Sequence, residues 1–264
     1  MSDLVSTRGS GATDFLGAVL GATSTDGGLW MPADPALLSL PKVSSAQTES
    51  TTFAEYAGLV GPTFFPWVDG SVLRRAVSRA FDFEVSLVEV EANRFVLELF
   101  HGPTLAFKDV GARFLAALVD EVSPPARTRV VLVATSGDTG GAVANAFLGM
   151  EGTHVVTLFP ERGVSERQRR QMSVPGGNVH AVAVQGTFDD CQDLVKAMFN
   201  DDAFRERHRL SAVNSINWAR IMAQIVYYFH AWAQISRDHS EEVSFVVPTG
   251  NFGNVLAAHY ARKM

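Results

Sequence analysis

From residue 130 onward the sequence repeats one unit: a strand apolar on both faces, a turn of glycine and hydroxyl residues, and a helix. Residues 130–134 form the first strand, followed by the turn Thr135-Ser136-Gly137-Asp138-Thr139-Gly140-Gly141 and a helix expected from about Ala142. Residues 154–160 are the second strand, with a helix over about 165–172. There Ser165 and Gln168, three apart, have the spacing of a capping box. Residues 179–184 and a helix over 188–199 repeat the theme. Residues 243–247 read as a further strand, before a glycine-containing turn at 248–254 and a last helix. Strands apolar on both faces cannot keep one side in water, which predicts a parallel sheet covered on both sides. The expected fold class is α/β.

The remaining sequence sets the bounds. The 264 residues suffice for one large or two modest domains. With 47% hydrophobic and 19% charged residues the chain can bury a sizeable core. A net charge of −6 without any Lys/Arg block argues against nucleic acid or an anionic membrane surface as partner. The single cysteine, Cys191, excludes an internal disulfide framework, suits the cytoplasm, and is expected to be a small buried group. No apolar run approaches the roughly 18 residues of a membrane span. Residues 15–22 are apolar but short, follow Asp14 and lack a basic leader, so they are expected to begin a core helix.

Residues 1–100 read as a leading region and 101–264 as an α/β region. In the first, Pro32, Pro35, Pro41 and the Ser/Thr-rich 44–52 mark loops. Residues 71–77 have helical spacing, and 85–90 and 94–100 alternate as two short strands. The closing run 254–264 reads as a helix only just under way, without a glycine stop. The expectation is an N-terminal part of a longer protein, its C-terminal part missing.

The turns at 135–141 and 249–254 each lie between a buried strand and a helix start. Unpartnered N–H groups and the helix dipole favour an anion there, and glycine lets a ligand approach the backbone. Taken singly, such a turn is more often plain turn chemistry than a site. Neither matches the dinucleotide or P-loop fingerprint. A third segment, His101 to Asp109, carries Lys108 in a helix expected to run from about Thr104 through Leu118. Most lysines are solvated, but the neighbours of this one are Leu105, Ala106, Phe107, Val110, Gly111 and Phe114. A lysine desolvated in such a setting has a lowered pKa and a free amine for nucleophilic or base chemistry.

The segments FHGPTLAFKD (Phe100 to Asp109), ATSGDTG (Ala134 to Gly140), NSINWAR (Asn214 to Arg220) and PTGNFGN (Pro248 to Asn254) occur in an order and spacing that resemble those of threonine synthases. These belong to the fold-type II pyridoxal-phosphate enzymes, whose parallel sheets are flanked by helices in two domains. The openings STRG (Ser6 to Gly9) and DGGLWMP (Asp26 to Pro32) are also similar, so the resemblance covers essentially the whole chain.

The resemblance implies that Lys108 joins pyridoxal 5′-phosphate. It further implies that Gly250, Asn251, Phe252, Gly253 and Asn254 cradle the cofactor phosphate. Thr135, Ser136 and Thr139 would hold the substrate carboxylate, with Asp138 beside the cofactor's ring hydroxyl. An ionised Asp138 there would be repelled by a ring phenolate, so a proton sits between them or Asp138 points elsewhere. Asn214, Ser215 and Arg220 would hold the substrate's own phosphate; without the resemblance they read as a helix N-cap, at Ser215 or Asn217, and a surface arginine. No metal is implied. The implied reaction converts O-phospho-L-homoserine and water to L-threonine and phosphate. A phospholyase giving 2-oxobutanoate, or an inactive truncated piece, is the rival reading. His101 is expected to shape the turn before Pro103, Tyr227 to Trp232 to pack a core, and Arg167, Arg169 and Arg170 to form a solvated helix face. The oligomeric state is not readable.

Overall fold

In the computed structural model, residues 4–21, 24, 26–33, 52–122, 128–213, 217–236 and 242–264 are described. The chain opens with a small antiparallel sheet in the order β2-β1-β3, from β1 (Leu4–Ser6), β2 (Ala12–Thr13) and β3 (Trp30–Pro32). Asp26 ties its corner together. Its carboxylate accepts from the hydroxyls of Ser6 and Ser10 and from the amides of Ser10 and Gly28, which hold it well below the usual carboxylate range. Helix α1 (Phe15–Gly21) buries Phe15, Ala18 and Val19, as a core helix should. Helix α2 (Phe53–Phe64) begins in a capping box of Thr52 and Glu55. Helix α3 (Gly70–Ala80) is capped by Asp69 and buries Leu73, Ala76, Val77 and Ala80. The two predicted strands form a hairpin, β4 (Ser86–Glu91) with β5 (Arg94–Glu98).

Helix α4 (Lys108–Val122) is the pivot of the core, buried almost continuously from Asp109 to Val119. Between Val110 and Val119 only Arg113 is charged, so nearly every side of that stretch belongs inside, and α4 packs against α3 and two later helices. Strand β6 (Arg129–Ala134), helix α5 (Asp138–Ala146), strand β7 (Thr153–Pro160), helix α6 (Glu166–Ser173), strand β8 (Val179–Val184) and helix α7 (Phe188–Asn200) follow the expected rhythm. The capping box of Ser165 and Gln168 is present. Two short elements were not foreseen, α8 (Asp202–His208) and β9 (Leu210–Ala212). Helix α9 (Trp218–Ile235) is buried over most of its length, and α10 (Gly253–Lys263) packs on it. Among the described residues no helix is long and apolar enough to cross a membrane.

The four strands are parallel in the order β8-β7-β6-β9. The chain moves outward from β6 through β7 to β8, then returns to lay β9 on the other side of β6. The order therefore reverses beside β6, and ligands of open α/β sheets bind in the crevice at the carboxyl ends of strands where such a reversal occurs. The turn 135–137 sits at that end of β6.

The structure corrects three boundaries. Helix α5 starts at Asp138 rather than near Ala142. Helix α4 starts at Lys108 rather than Thr104, because Leu105 takes a left-handed conformation (φ 60°) and Asp109 folds the preceding loop onto itself. Residues 243–247 form no strand and pair with none among the described residues, and Val246 is 98% exposed. An apolar run becomes a strand only when a neighbour completes its ladder.

The turn before α5 is held by close packing. A Cβ built on Gly140 would lie 2.4 Å from both Met172 Sδ and Thr135 Cγ2. Gly140→Ala is expected to cost about 1–3 kcal/mol of stability. A denaturant melt with an unchanged midpoint would refute this account of the turn.

Candidate active site

Lys108 is placed by the loop before it. Asp109 is fully buried; its Oδ2 accepts from the Thr104 amide (2.9 Å) and its Oδ1 from the Thr104 hydroxyl (2.6 Å). A Cβ on Gly102 would come within 2.6 Å of Asp109 Oδ2, so the loop needs glycine there. Knotted in this way, residues 102–107 deliver Lys108 as the first residue of α4. Its Nζ lies 4.7 Å from the centre of the Phe107 ring. Burial first and the Arg220 charge second lower the amine, the Asp138 charge partly opposes them, and together they leave it at about 8. Three elements distant in sequence thus act on one amine.

Lys108 and Phe107 form one wall of a cavity of about 290 Å³, and Pro248, Thr249, Gly250, Asn251, Phe252, Gly253 and Asn254 form the other. The expected cradle and the expected lysine therefore meet. A Cβ built on Gly250 would meet nothing within 4 Å, so the backbone there faces open space. Phe252 caps α10 in a left-handed conformation (φ 59°) and is 66% exposed. A non-glycine residue held in that region costs about 1–2 kcal/mol, the kind of strain that clusters at functional sites. Among the described residues no carboxylate lines the cavity. From the floor, Tyr227 and Tyr228 of α9 hydrogen-bond through their hydroxyls to Asn254 Oδ1, the second at 2.6 Å.

At the switch point, Thr135 is buried and its hydroxyl is committed to the turn. It donates to the Gly137 carbonyl (3.0 Å) and accepts from the amides of Gly137 and Gly140. Ser136 and Asp138 are exposed and Thr139 is half-buried. Gln168 donates to Asp138 Oδ1 (2.8 Å), and Gln171 donates to the Thr104 carbonyl (2.9 Å), so α6 braces both the turn and the lysine loop.

Arg220 is not a surface residue: it is 1% exposed, and its Nη1 donates to the Val213 carbonyl at 3.4 Å. Its burial lowers the guanidinium to about 10. The N-cap of α9 is Asn217, whose Oδ1 accepts from the Ala219 amide. Helices α4 and α9 cross tightly, since a Cβ on Gly111 would lie 3.2–3.4 Å from Gln224 and Arg220 atoms. Asn214 and Ser215 lie outside the described residues, as does 44–51.

The remaining sequence readings fall away from the cavity. His101 bonds Glu98 Oε2 at 2.6 Å and packs at a tilt against Phe100. Cys191 is buried. Arg167, Arg169 and Arg170 are exposed on α6. The sequence reading missed the second tasks of Gln168 and of the two tyrosine hydroxyls; only the three-residue spacing from Ser165 hinted at the first.

Residues 88–263 match the family model described as "Pyridoxal-phosphate dependent enzyme". The chain belongs to that family. Threonine synthase of Pseudomonas aeruginosa is 43% identical over 98% of this chain and 57% of its own length. The crystal structure of pyridoxal-phosphate-bound threonine synthase from Brucella melitensis superposes with a TM-score of 0.85 at 42% identity, over 100% of this chain and 58% of that one. That of Escherichia coli threonine synthase gives 0.88 at 36% identity, over 98% and 60%. The chain thus spans somewhat over half the length of these relatives.

The family's cofactor, pyridoxal phosphate, fits the residues present. Its aldehyde needs an amine that gives up its proton more readily than an ordinary lysine, and burial brings Lys108 down to about 8. Its phosphate needs donors without a nearby carboxylate, and the N-terminus of α10 with its glycine turn supplies them.

Proposed function

We propose that the protein containing this chain is a threonine synthase, converting O-phospho-L-homoserine and water to L-threonine and phosphate. The observation that carries the reading is one amine of lowered pKa between an anion cradle and a buried arginine. The threonine synthases that are 36–43% identical support the choice of substrate.

In this reading Gly250, Asn251, Phe252, Gly253 and Asn254 hold the cofactor phosphate, and Lys108 binds its aldehyde carbon. When bound, pyridoxal phosphate supplies an electron sink for charge developing on the amino acid. The Lys108 amine, when free, would be the base that takes the α-proton and returns protons later. Ser136 and Thr139 bind the substrate carboxylate on the turn that Thr135 shapes, and Gln168 holds Asp138 at its edge. Arg220, with Asn214 and Ser215, receives the substrate phosphate, for which a planar guanidinium is suited. Closure of the walls around the ligand keeps out water until it is needed at the β-carbon.

Residues 1–100 are the leading region of this enzyme and 101–264 its cofactor-binding region, and both contribute to one core. The lone buried cysteine supports a cytoplasmic setting, and the ligands are small molecules rather than nucleic acid or membrane. Incubating the full-length protein with O-phosphohomoserine and identifying the organic product tests the proposal. Threonine is expected; 2-oxobutanoate without threonine would make it a phospholyase instead.

A further inference from the structure

Asn254 is the one cradle residue whose side chain is anchored from behind. Its Oδ1 faces α9 and meets two phenol hydroxyls, that of Tyr227 and that of Tyr228 at 2.6 Å. The Tyr228 hydroxyl also lies 3.1 Å from the Asn254 carbonyl oxygen, and the Tyr227 hydroxyl 3.4 Å from Gln224 Oε1. Both rings are buried, 4.9 Å apart, in the well-packed middle of α9. Burial pushes both phenols far above their ordinary range, so each keeps its proton at any pH the fold tolerates.

An amide carries an acceptor at one end and two donors at the other, and can reverse by half a turn. A phosphate dianion offers acceptors only. Were Asn254 to present Oδ1 to the cavity, two acceptors would face each other and the cradle would repel its anion. With Oδ1 engaged by the tyrosines, Nδ2 is the polar atom of the amide left to donate to a ligand. Asn254 lines the cavity.

We propose that Tyr227 and Tyr228 are positioning residues that lock the Asn254 amide in its donor-outward orientation, making the cradle selective for the phosphate group of its ligand. The inference rests on the reading of this cavity as the cofactor-phosphate site. Two hydroxyls on one oxygen also couple α9, which carries Arg220, to the start of α10, so the sites for the two phosphates share a helix.

The test is binding rather than turnover. Affinities for pyridoxal phosphate and for pyridoxal, which lacks only the phosphate, are measured by absorbance titration for the full-length protein, for Tyr227→Phe, for Tyr228→Phe and for the double variant. Phenylalanine keeps the rings and removes only the hydroxyls, and either single variant serves if the double one does not fold. The expected result is pyridoxal phosphate affinity about tenfold weaker in the double variant, with pyridoxal affinity and the melting temperature nearly unchanged. Equal loss for both ligands, or no loss for either, overturns the lock. A parent protein that does not prefer pyridoxal phosphate over pyridoxal overturns the cofactor-phosphate reading beneath it.

Discussion

Lys108→Ala is expected to abolish covalent capture of pyridoxal phosphate and, with it, all turnover. Among the described residues Lys108 is the only lysine that lines the cavity. Borohydride reduction of the loaded protein followed by peptide mapping should put the label on Lys108 alone. The pH profile separates this amine from an ordinary one. At about 8, half of it is free at pH 8, whereas an unperturbed lysine is free only to about 0.4%. Labelling should therefore rise between pH 7 and 9. A rise only above pH 10, or a label on another lysine, would remove the centre of the site. The same shift has a stability consequence of definite sign. The unfolded chain binds this proton up to about pH 10.4, and the folded one only up to about 8. Stability contributed by the neutral amine is thus present at high pH and is lost as pH falls from 10.4 through 8. Lys108→Met should melt no lower than the parent at neutral pH, although it is inactive.

How much of this was legible follows from what each signal depends on. The run from β6 to α7 was legible because its signals are local: apolar strands of five to eight residues, glycine turns, and the Ser165–Gln168 spacing that the fold uses as read. Lys108 and the cradle were legible as separate motifs, and their meeting across one cavity was implied by resemblance rather than by spacing. The start of α4 was hidden, since Leu105 gives no warning that it will adopt a left-handed conformation. The cause is a carboxylate four residues on, in Asp109, turning back to Thr104. Residues 243–247 have strand composition, but composition cannot supply a neighbour. The short α8 and β9 carry too few residues for a period to register. Arg220, read from its own residues as a surface arginine, is buried because it stands among Trp218, Ala219, Ile221 and Met222 on a helix buried over most of its length.

Strain and burial in the site run the same way. Leu105 and Phe252, both left-handed, occupy the two loops that form opposite walls, and both side chains are largely exposed, at 54% and 66%. Neither residue gains much packing in exchange for its backbone conformation. What the two conformations supply is placement: Lys108 as the first residue of α4, and the α10 amides turned to the cavity. The stability to hold them comes from the continuous core of α4 and α9 behind. The arrangement puts function on strained loops and stability on the crossing helices.

Arg220→Leu is the variant in which those two demands separate. A guanidinium 1% exposed is a charge held out of water, and its lowered pKa reports the desolvation cost. Removing the guanidinium relieves that desolvation cost but also removes its hydrogen bond to the Val213 carbonyl, so the melting temperature of Arg220→Leu should stay close to that of the parent. Substrate binding should fail in the same variant. Loss of a buried guanidinium that receives a phosphate is expected to cost about 2–5 kcal/mol, a rise in KM for O-phosphohomoserine from about thirtyfold to several thousandfold, with kcat much less affected. A readout independent of turnover comes from Lys108. Arg220 contributes to the lowered pKa of that amine, so in Arg220→Leu the pH midpoint of borohydride labelling should move up. Asp138 acts with the opposite sign, and Asp138→Asn should move the midpoint down. If Arg220→Leu melts well below the parent, keeps its KM and leaves the labelling midpoint in place, then Arg220 is a structural strut of α9 and the substrate phosphate is bound elsewhere.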